Sequence, residues 1–291
     1  MVQTNAPPGK RDIISGATVT AIVVTDAVRR TALRVARTRG LAGFTVERSG
    51  EKRRFAEIPF VATDWPALVG EGAVRRLLLT QADVDTAFRR MGIGGPEPYA
   101  AAAPPESVFI DLHTALVTPD TIGRNLLGDT EYGLVQKGSK PGETALLIAA
   151  TGLYSFRGSG FVRGGIFDRI QVVQDETTLL FRDSHYRRLG ALASGLPAFT
   201  EIGLFRIPEG SGFDPAKPWR LELLVQRPVG PIEKAYTSFS LTYALPDRYL
   251  EAAPPRHGRR RRRKKTRPPF GRPSGGSVWE RSRCSARRCW C

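Results

Sequence analysis

Apolar residues recur with the period of a helix in the first part of the chain. Val24, Val28, Ala32 and Val35 are spaced by four, four and three residues, and the opposite side carries charged residues, Asp26 and three arginines. This stripe predicts an amphipathic helix of about six turns. The helix begins at Ser15, and Gly40 ends it because glycine readily takes the left-handed conformation that stops a helix.

The region from residue 44 to residue 106 carries weaker signals. A short strand is predicted at 44–48, and a helix at 81–91 follows Thr80, whose hydroxyl is a suitable N-cap. The stretch 94–106 is rich in Gly, Pro and Ala, which is typical of a linker or long loop. A boundary near residue 100 follows from this composition.

After residue 106 the chain consists of short β-branched or alternating segments separated by Gly, Pro or Asp, which is typical of strands. Strands are predicted at 108–118, 144–151, 166–174, 177–182, 202–207, 219–226 and 236–243. Helical signals are brief, at 120–127 and 186–192. These elements predict an α+β fold, in which a β-rich C-terminal region packs beside a helical N-terminal part that opens with the long helix.

The positive charge is concentrated at the C-terminal end. The 291 residues carry a formal net charge of +16 and are 41% apolar, which is enough for a core over most of the length. Residues 256–291 hold fourteen Lys and Arg against one acid, whereas residues 1–255 hold thirty bases against twenty-seven acids. The basic balance therefore describes a tail, which we expect to be disordered, and not a nucleic-acid-binding body.

All three cysteines, Cys284, Cys289 and Cys291, lie in that tail. The body can thus form neither disulfides nor thiolate metal sites, and no two of the three histidines have the spacing of metal ligands. Apolar runs stay below the roughly 18 to 20 residues of a spanning helix, and the polar N-terminus lacks the apolar region of a signal peptide. The sequence predicts a soluble chain without an export signal.

The main candidate for chemistry is the segment 12–20, Asp-Ile-Ile-Ser-Gly-Ala-Thr-Val-Thr, at the start of the long helix. Small residues at 15–17 allow a bulky group to approach the backbone, and the free N–H groups of a first helical turn favour an anion. A phosphate at the Thr18 hydroxyl would be well placed. The structural alternative is that Ser15 is only an N-cap and Gly16 only a turn residue.

These nine residues resemble the flavinylation motif of the FMN-binding domains in Na+-translocating quinone reductases, Rnf complexes and NosR proteins. The resemblance implies that an FMN transferase links the phosphate of FMN to Thr18 through a phosphoester bond, with Thr20 as the fallback acceptor. Four further residues match the acidic, hydroxyl and small positions of the motif: Asp12, Ser15, Gly16 and Ala17.

Later segments single out the NosR family, the membrane flavoproteins associated with nitrous oxide reductase. Six of them are similar to NosR sequence in order and spacing: 109–117, 121–128, 154–169, 201–208, 218–227 and 245–250. The resemblance implies an electron-transfer module that supports nitrous oxide reduction, and thus denitrification, on the periplasmic side of the inner membrane. It also implies two regions, the C-terminal part of an FMN-binding domain at 12–100 and a β-rich NosR-type periplasmic region at 101–255. Composition adds a disordered lead-in at 1–11 and the Arg-rich tail at 256–291.

Both ends of the chain depart from the family. Only eleven residues precede the motif, although the family's FMN-binding domain lies mostly before it. The transmembrane helices and cysteine-rich motifs that follow in NosR proteins are replaced by the Arg-rich tail. We expect a fragment, truncated at the front, out of frame after about residue 255, and part of a redox system instead of a free-standing enzyme; resequencing the locus tests this.

Two other functions remain open. One is a non-catalytic binding module, in which the β-rich half at 108–243 docks nitrous oxide reductase or its maturation factors. The other is a transcription-related regulator that binds DNA through the basic run 259–265 by counterion release. The body offers no helix-turn-helix and no basic face to such a regulator.

Two weaker candidates lie in the β-rich half. The glycine-rich segment 158–165 forms a tight strand connection or, alternatively, contacts an anion or partner with Arg157 and Arg163 supplying charge. It lacks the Gly-Lys-Ser/Thr ending of a P-loop and the Gly-x-Gly-x-x-Gly spacing of a dinucleotide-binding site. Asp111 and His113 are two residues apart and share a strand face, but no nucleophile accompanies them, and we interpret His113 as a packed residue.

Overall fold

Strands dominate the described part of the chain. The computed structural model describes residues 28, 31, 53–93, 103–158, 165–229 and 234–253. Eleven strands lie in these ranges: β1 (Arg53–Phe55), β2 (Arg75–Thr80), β3 (Val108–Leu116), β4 (Thr144–Thr151), β5 (Ile166–Gln174), β6 (Thr177–Arg182), β7 (Tyr186–Leu189), β8 (Glu201–Ile207), β9 (Trp219–Pro228), β10 (Lys234–Tyr243) and β11 (Leu250–Ala252). Three α-helices accompany them: α1 (Trp65–Gly70), α2 (Gln81–Arg90) and α3 (Asp120–Gly138). By its contacts the chain divides after residue 253, and all described residues lie in the first unit.

The strands form three antiparallel sheets. The largest has five strands in the order β2-β3-β4-β8-β7, the second has four in the order β10-β9-β5-β6, and β1 pairs with β11. In the five-stranded sheet Thr114 lies opposite Ile148. In the four-stranded sheet Leu223 lies between Phe239 and Ile170. A register irregularity between Ile166 and Gln171 interrupts the pairing of β5 with β6.

The main core lies between the two large sheets. Phe205 of β8 contacts Phe167 of β5 and Phe181 of β6, with ring centroids 5.0 and 4.6 Å apart. All three side chains are at most 2% exposed. Aromatic contacts of this kind add about 0.5–1.5 kcal/mol to what burial of their area contributes, so this cluster fixes how the sheets face each other.

Helices and loops cover the other face of the five-stranded sheet. There Trp65 of α1 and Leu126 of α3 lie beside His113 and Ala149. The central strand β4 is therefore buried on both faces and is apolar from residue 145 to residue 150. In β9, buried and more exposed residues alternate because only its inner face is covered. The described residues thus form three layers, one of helices and two of sheet.

Local signals explain where the longer helices begin and bend. In α2 the Thr80 hydroxyl accepts from the Asp83 backbone N–H, and the Asp83 carboxylate accepts from the Thr80 N–H at 2.8 Å, which completes a capping box. The predicted helix at 81–91 with its Thr80 cap is confirmed. In α3 Gly128, at φ 76°, separates two helical segments, and the first coincides with the helix predicted at 120–127.

None of the helices in the described ranges combines the length and the apolar character needed to cross a bilayer.

The expectation of an α+β fold that opens with a long N-terminal helix is wrong. The described residues form three sheets with only three helices. Strands β1 and β2 come from the region that was assigned to a helical part, and they pair with β11 and β3. A three-residue strand such as Arg53–Phe55 is too short for an alternating pattern to reveal it. Of the helix predicted from Ser15 to Gly40 only residues 28 and 31 are described, and the strand predicted at 44–48 lies outside the described residues.

The strands of the β-rich half agree better with expectation. Those predicted at 144–151, 166–174 and 177–182 have the observed bounds. The helical signal at 186–192 is wrong, because Tyr186–Leu189 forms edge strand β7, whose Tyr186 lies opposite Phe205 of β8. Pairing with β8 and packing of the Tyr186 ring on Phe167, at 4.8 Å between centroids, override the weak local preference.

Candidate functional site

The residues predicted to hold FMN all lie outside the described residues. They are Asp12, Ser15, Gly16, Ala17, Thr18 and Thr20. Their assignment stays a prediction.

The glycine-rich segment is described only at its ends. Gly158 and Gly165 both have positive φ, at 72° and 66°, and a Cβ on Gly158 would overlap the Asp168 carboxyl. The chain therefore needs glycine where it enters and leaves this connection. Arg157 forms an ion pair with Glu201 of β8, so its charge is already paired and is not free for an anion.

The Glu201 carboxylate organises the chain that follows β4. It accepts hydrogen bonds from the Ser155 hydroxyl at 3.0 Å, from the Phe156 N–H at 3.1 Å and from the Arg157 guanidinium. Its side chain is 9% exposed, and a buried carboxylate is stable only when it is paired and hydrogen-bonded in this way. The contacts fix the backbone of 155–157, which leads into the glycine-rich segment.

Asp111 and His113 do share one face of β3, as their spacing indicates. Arg76 of β2 donates to both carboxylate oxygens of Asp111, at 2.7 and 2.9 Å. His113 Nδ1 is 3.6 Å from Asp111 Oδ1, which is too far for a hydrogen bond. His113 is 7% exposed, and its imidazole packs against Trp65 and Phe199, each 5.2 Å away between ring centroids.

The electrostatics of His113 favour the neutral imidazole. Burial lowers the pKa of His113, with Asp111 acting in the opposite direction and Arg76 in the same direction. No hydrogen bond joins His113 to a hydroxyl within the described ranges, and its Nδ1 has no partner there. The group is thus a packed core residue without a nucleophile beside it, and a hydrolytic triad has no support.

A cleft of about 280 Å³ opens beside the start of β3, the end of β4, the end of β9 and the start of β10. Phe109 and Tyr154 line one part of it, with their rings stacked at 4.7 Å and an angle of 22°. The Arg169 guanidinium lies 4.2 Å from the centre of the Tyr154 ring. Lys234, at the start of β10, supplies a second cation.

The lining of the cleft is held by hydrogen bonds to the backbone. Tyr154 donates its hydroxyl proton to Leu224 O at 2.9 Å, and Arg169 Nη1 donates to Ser155 O at 2.8 Å. Burial raises the pKa of Tyr154 to about 12, so the phenol stays neutral at physiological pH. The arrangement offers stacked aromatic surface beside two positive charges.

The sequence alone gave no indication of this cleft. Its residues come from four strands and from the turn after β4, spread between Phe109 and Lys234, and no local spacing links them. Tyr154 lies in the segment 154–169, which was singled out only for its resemblance to NosR. A stacked pair becomes visible once β3 and β4 are placed side by side, since the Tyr154 N–H donates to Phe109 O.

Comparisons with known proteins agree with the motifs. The chain is 44% identical over 244 residues to "Regulatory protein NosR" of Stutzerimonas stutzeri and 43% identical over 252 residues to the protein of that name from Pseudomonas aeruginosa. It is 33% identical over 248 residues to "Protein NirI" of Paracoccus denitrificans. No family model and no solved structure matches the chain.

These similarities cover most of this chain but a minor part of the relatives. In each case 84% of the chain is aligned, and it spans about a third, 34%, of the relative's length. The aligned span is as long as the resemblance indicated by the motifs at 12–20 and in the β-rich half. The resemblance to the NosR family is therefore confirmed over 84% of the chain.

Proposed function

We propose that this chain is an electron-transfer module that holds FMN covalently at Thr18 and supports nitrous oxide reduction. The observation that carries the proposal is the segment 12–20, which has the acidic, hydroxyl, small and threonine residues of a flavinylation motif in their order. The relation to NosR proteins supports it, since the relatives align with 84% of the chain.

The chemistry of the residues fits this cofactor. The Thr18 hydroxyl offers the oxygen for a phosphoester bond, and Ser15, Gly16 and Ala17 leave room beside the backbone for the phosphate. Asp12 adds the acidic position of the motif, and Thr20 offers a second hydroxyl two residues on. Bound FMN would supply the one- and two-electron chemistry, while the protein holds and orients it.

The wider assignments belong to the same proposal. An FMN transferase would attach the flavin, the nitrous oxide reductase system would receive or supply the electrons, and the module would work in a membrane-anchored assembly on the periplasmic side. The three-layered part of the chain would provide a rigid support for these contacts.

The test is intact-mass spectrometry with in-gel flavin fluorescence, after co-expression with an FMN transferase and export through an added signal peptide. We expect a mass gain of one FMN that is lost in Thr18→Ala and kept in Thr20→Ala. An adduct that persists in Thr18→Ala would contradict the attachment site. Absence of flavin from this chain and also from a version extended upstream with NosR sequence would contradict the flavoprotein itself.

A second candidate is a partner-binding role. The observation that favours it is a pair of exposed apolar side chains at one end of the five-stranded sheet. Val108 is 41% and Leu153 is 65% exposed, and the Leu153 N–H donates to Val108 O at 3.3 Å. A colourless protein that still binds nitrous oxide reductase would favour this candidate over the first.

A further inference from the structure

The charged groups that line the cleft are both cations. Among the described residues, neither Arg169 nor Lys234 forms an ion pair with a carboxylate, and none of the described residues that line the space is acidic. The neighbouring Asp168 carboxyl lies against Gly158. Two cations facing one cleft favour an anionic group.

The remaining lining is apolar and flat. Phe109 presents an aromatic ring, and Leu153 and Pro228 add aliphatic surface. Leu153 is 65% exposed, which leaves apolar area to be covered. A planar ring would be buried against these groups while a charged substituent on it reaches the cations.

The cationic side is already ordered. Arg169 stacks on Tyr154 and donates through Nη1 to Ser155 O, whereas its Nε is buried and has no hydrogen-bond partner in the described ranges. Lys234 Nζ lies 3.4 Å from Gln226 Oε1. A ligand would therefore find fixed donors, and less side-chain entropy is lost on binding than with free side chains.

We propose that this cleft binds a small molecule that joins one flat conjugated ring to a phosphate or carboxylate group. Its volume of about 280 Å³ is at the lower end of the roughly 300–1,000 Å³ of ligand sites, which limits the ligand to a small ring system. None of its described lining residues belongs to the segment 12–20, and the inference does not depend on the flavin attachment proposed at Thr18.

The test is isothermal titration of the full 291-residue chain with phenyl phosphate, and with benzoate as the carboxylate form. We expect both to bind, and inorganic phosphate and phenol to bind at least about tenfold more weakly, since each lacks one half of the ligand. Lys234→Gln and Arg169→Gln each weaken binding about tenfold, in line with the loss of one charge-assisted contact. The control is Lys140→Gln, which removes an exposed lysine that precedes the start of β4, away from the cleft at its other end. This variant should bind both ring compounds with unchanged affinity.

Three results would overturn the proposal. The first is that neither ring compound binds at millimolar concentration. The second is that Lys234→Gln binds as tightly as the unaltered chain; because Lys234 is exposed, this variant tests the site without disturbing the core. The third is that inorganic phosphate binds as tightly as phenyl phosphate, which would leave a plain anion site without selection for a ring.

Discussion

Tyr243 joins the two large sheets through one buried hydroxyl. It donates to Ala73 O at 3.0 Å, next to β2, and accepts from the Leu116 N–H of β3 at 3.3 Å. Its ring stacks on Trp219 at 4.8 Å. Because the side chain is fully buried, no water can replace the hydroxyl if it is removed.

Tyr243→Phe should therefore lower the free energy of unfolding by about 1–3 kcal/mol, since it leaves a backbone donor and a backbone acceptor without a partner. The measurement is urea denaturation followed by tryptophan fluorescence. Ser238→Ala, an exposed position on the same strand, is the control and should stay within about 0.5 kcal/mol. Equal stability of Tyr243→Phe and the unaltered chain would contradict the bridging role.

His113 should make stability depend on pH in a defined direction. Its pKa is lowered in the folded state, chiefly by burial, whereas the unfolded chain takes up a proton near the ordinary value of about 6.5. The unfolded state thus binds more protons as the pH falls below about 6.5, and stability is lost from there down to the folded pKa.

In His113→Phe the loss of stability between pH 7 and pH 5 should be smaller, because the phenyl ring keeps the contacts with Trp65 and Phe199 and does not titrate. Urea midpoints at several pH values measure it, with His185→Phe, at a partly exposed position, as control. An identical pH slope in His113→Phe and the unaltered chain would refute the prediction.

Among contacts between individual residues, the sequence predicted only those between neighbours on one strand. The shared face of Asp111 and His113 and the packed role of His113 follow from a spacing of two on an apolar strand. The pairing of Arg157 with Glu201 and the stacking of Tyr154 on Phe109 do not, since in each pair a residue of the turn after β4 meets a residue of a strand distant in sequence.

Among the elements, α3 shows how single glycines shape a helix. Gly123 lies against the Tyr132 ring and Val117 O, so a Cβ there would overlap both. Gly133 lies in the same helix with nothing within 4 Å of where a Cβ would stand. The Tyr132 hydroxyl donates to Thr118 O at 3.1 Å. This bond connects the second segment of α3 to the residues just before the helix begins.

Gly123→Ala and Gly133→Ala should consequently have opposite effects. The first should destabilise the protein by about 1–3 kcal/mol through overpacking, and the second should stabilise it by up to about 1 kcal/mol through higher helix propensity. Thermal unfolding followed by circular dichroism compares the pair directly. Loss of stability in both variants would mean that the space around Gly133 is not open.

The sequence predicts whether a segment is a helix or a strand where the strand is long or where the residues of a helix N-cap are present. Continuous apolar residues define β4, and Thr80 with Asp83 defines the start of α2. Short edge strands such as β1 and β7 carry three or four residues, too few for a periodic signal. Their conformation is imposed by β11 and β8, and partners distant in the chain cannot be found from local pattern.

In the whole molecule, most of the net positive charge lies after the boundary at residue 253, and the described fold lies before it. The first unit, residues 1–253, contains all described residues, and it carries thirty bases against twenty-seven acids. Deleting residues 254–291 should leave the thermal transition unchanged and should make the chain elute much earlier from a cation exchanger. Loss of cooperative unfolding would contradict this.

The same deletion tests DNA binding. If the full chain binds DNA and the shortened chain does not, the transcription-related function gains support.

The pairing of β1 with β11 determines when this fold can be completed. Residues 53–55 pair with residues 250–252, and ion pairs join Arg54 to Glu251 at 2.6 Å and Arg53 to Asp247 at 2.7 Å. Closing a loop of nearly two hundred residues loses roughly 5 kcal/mol of chain entropy, so adjacent strands such as β3 and β4 should pair first. During synthesis β1 waits for its partner until residue 252 has left the ribosome, and until then its backbone edge is exposed to other chains. The final step of folding is thus tied to the end of translation of this unit.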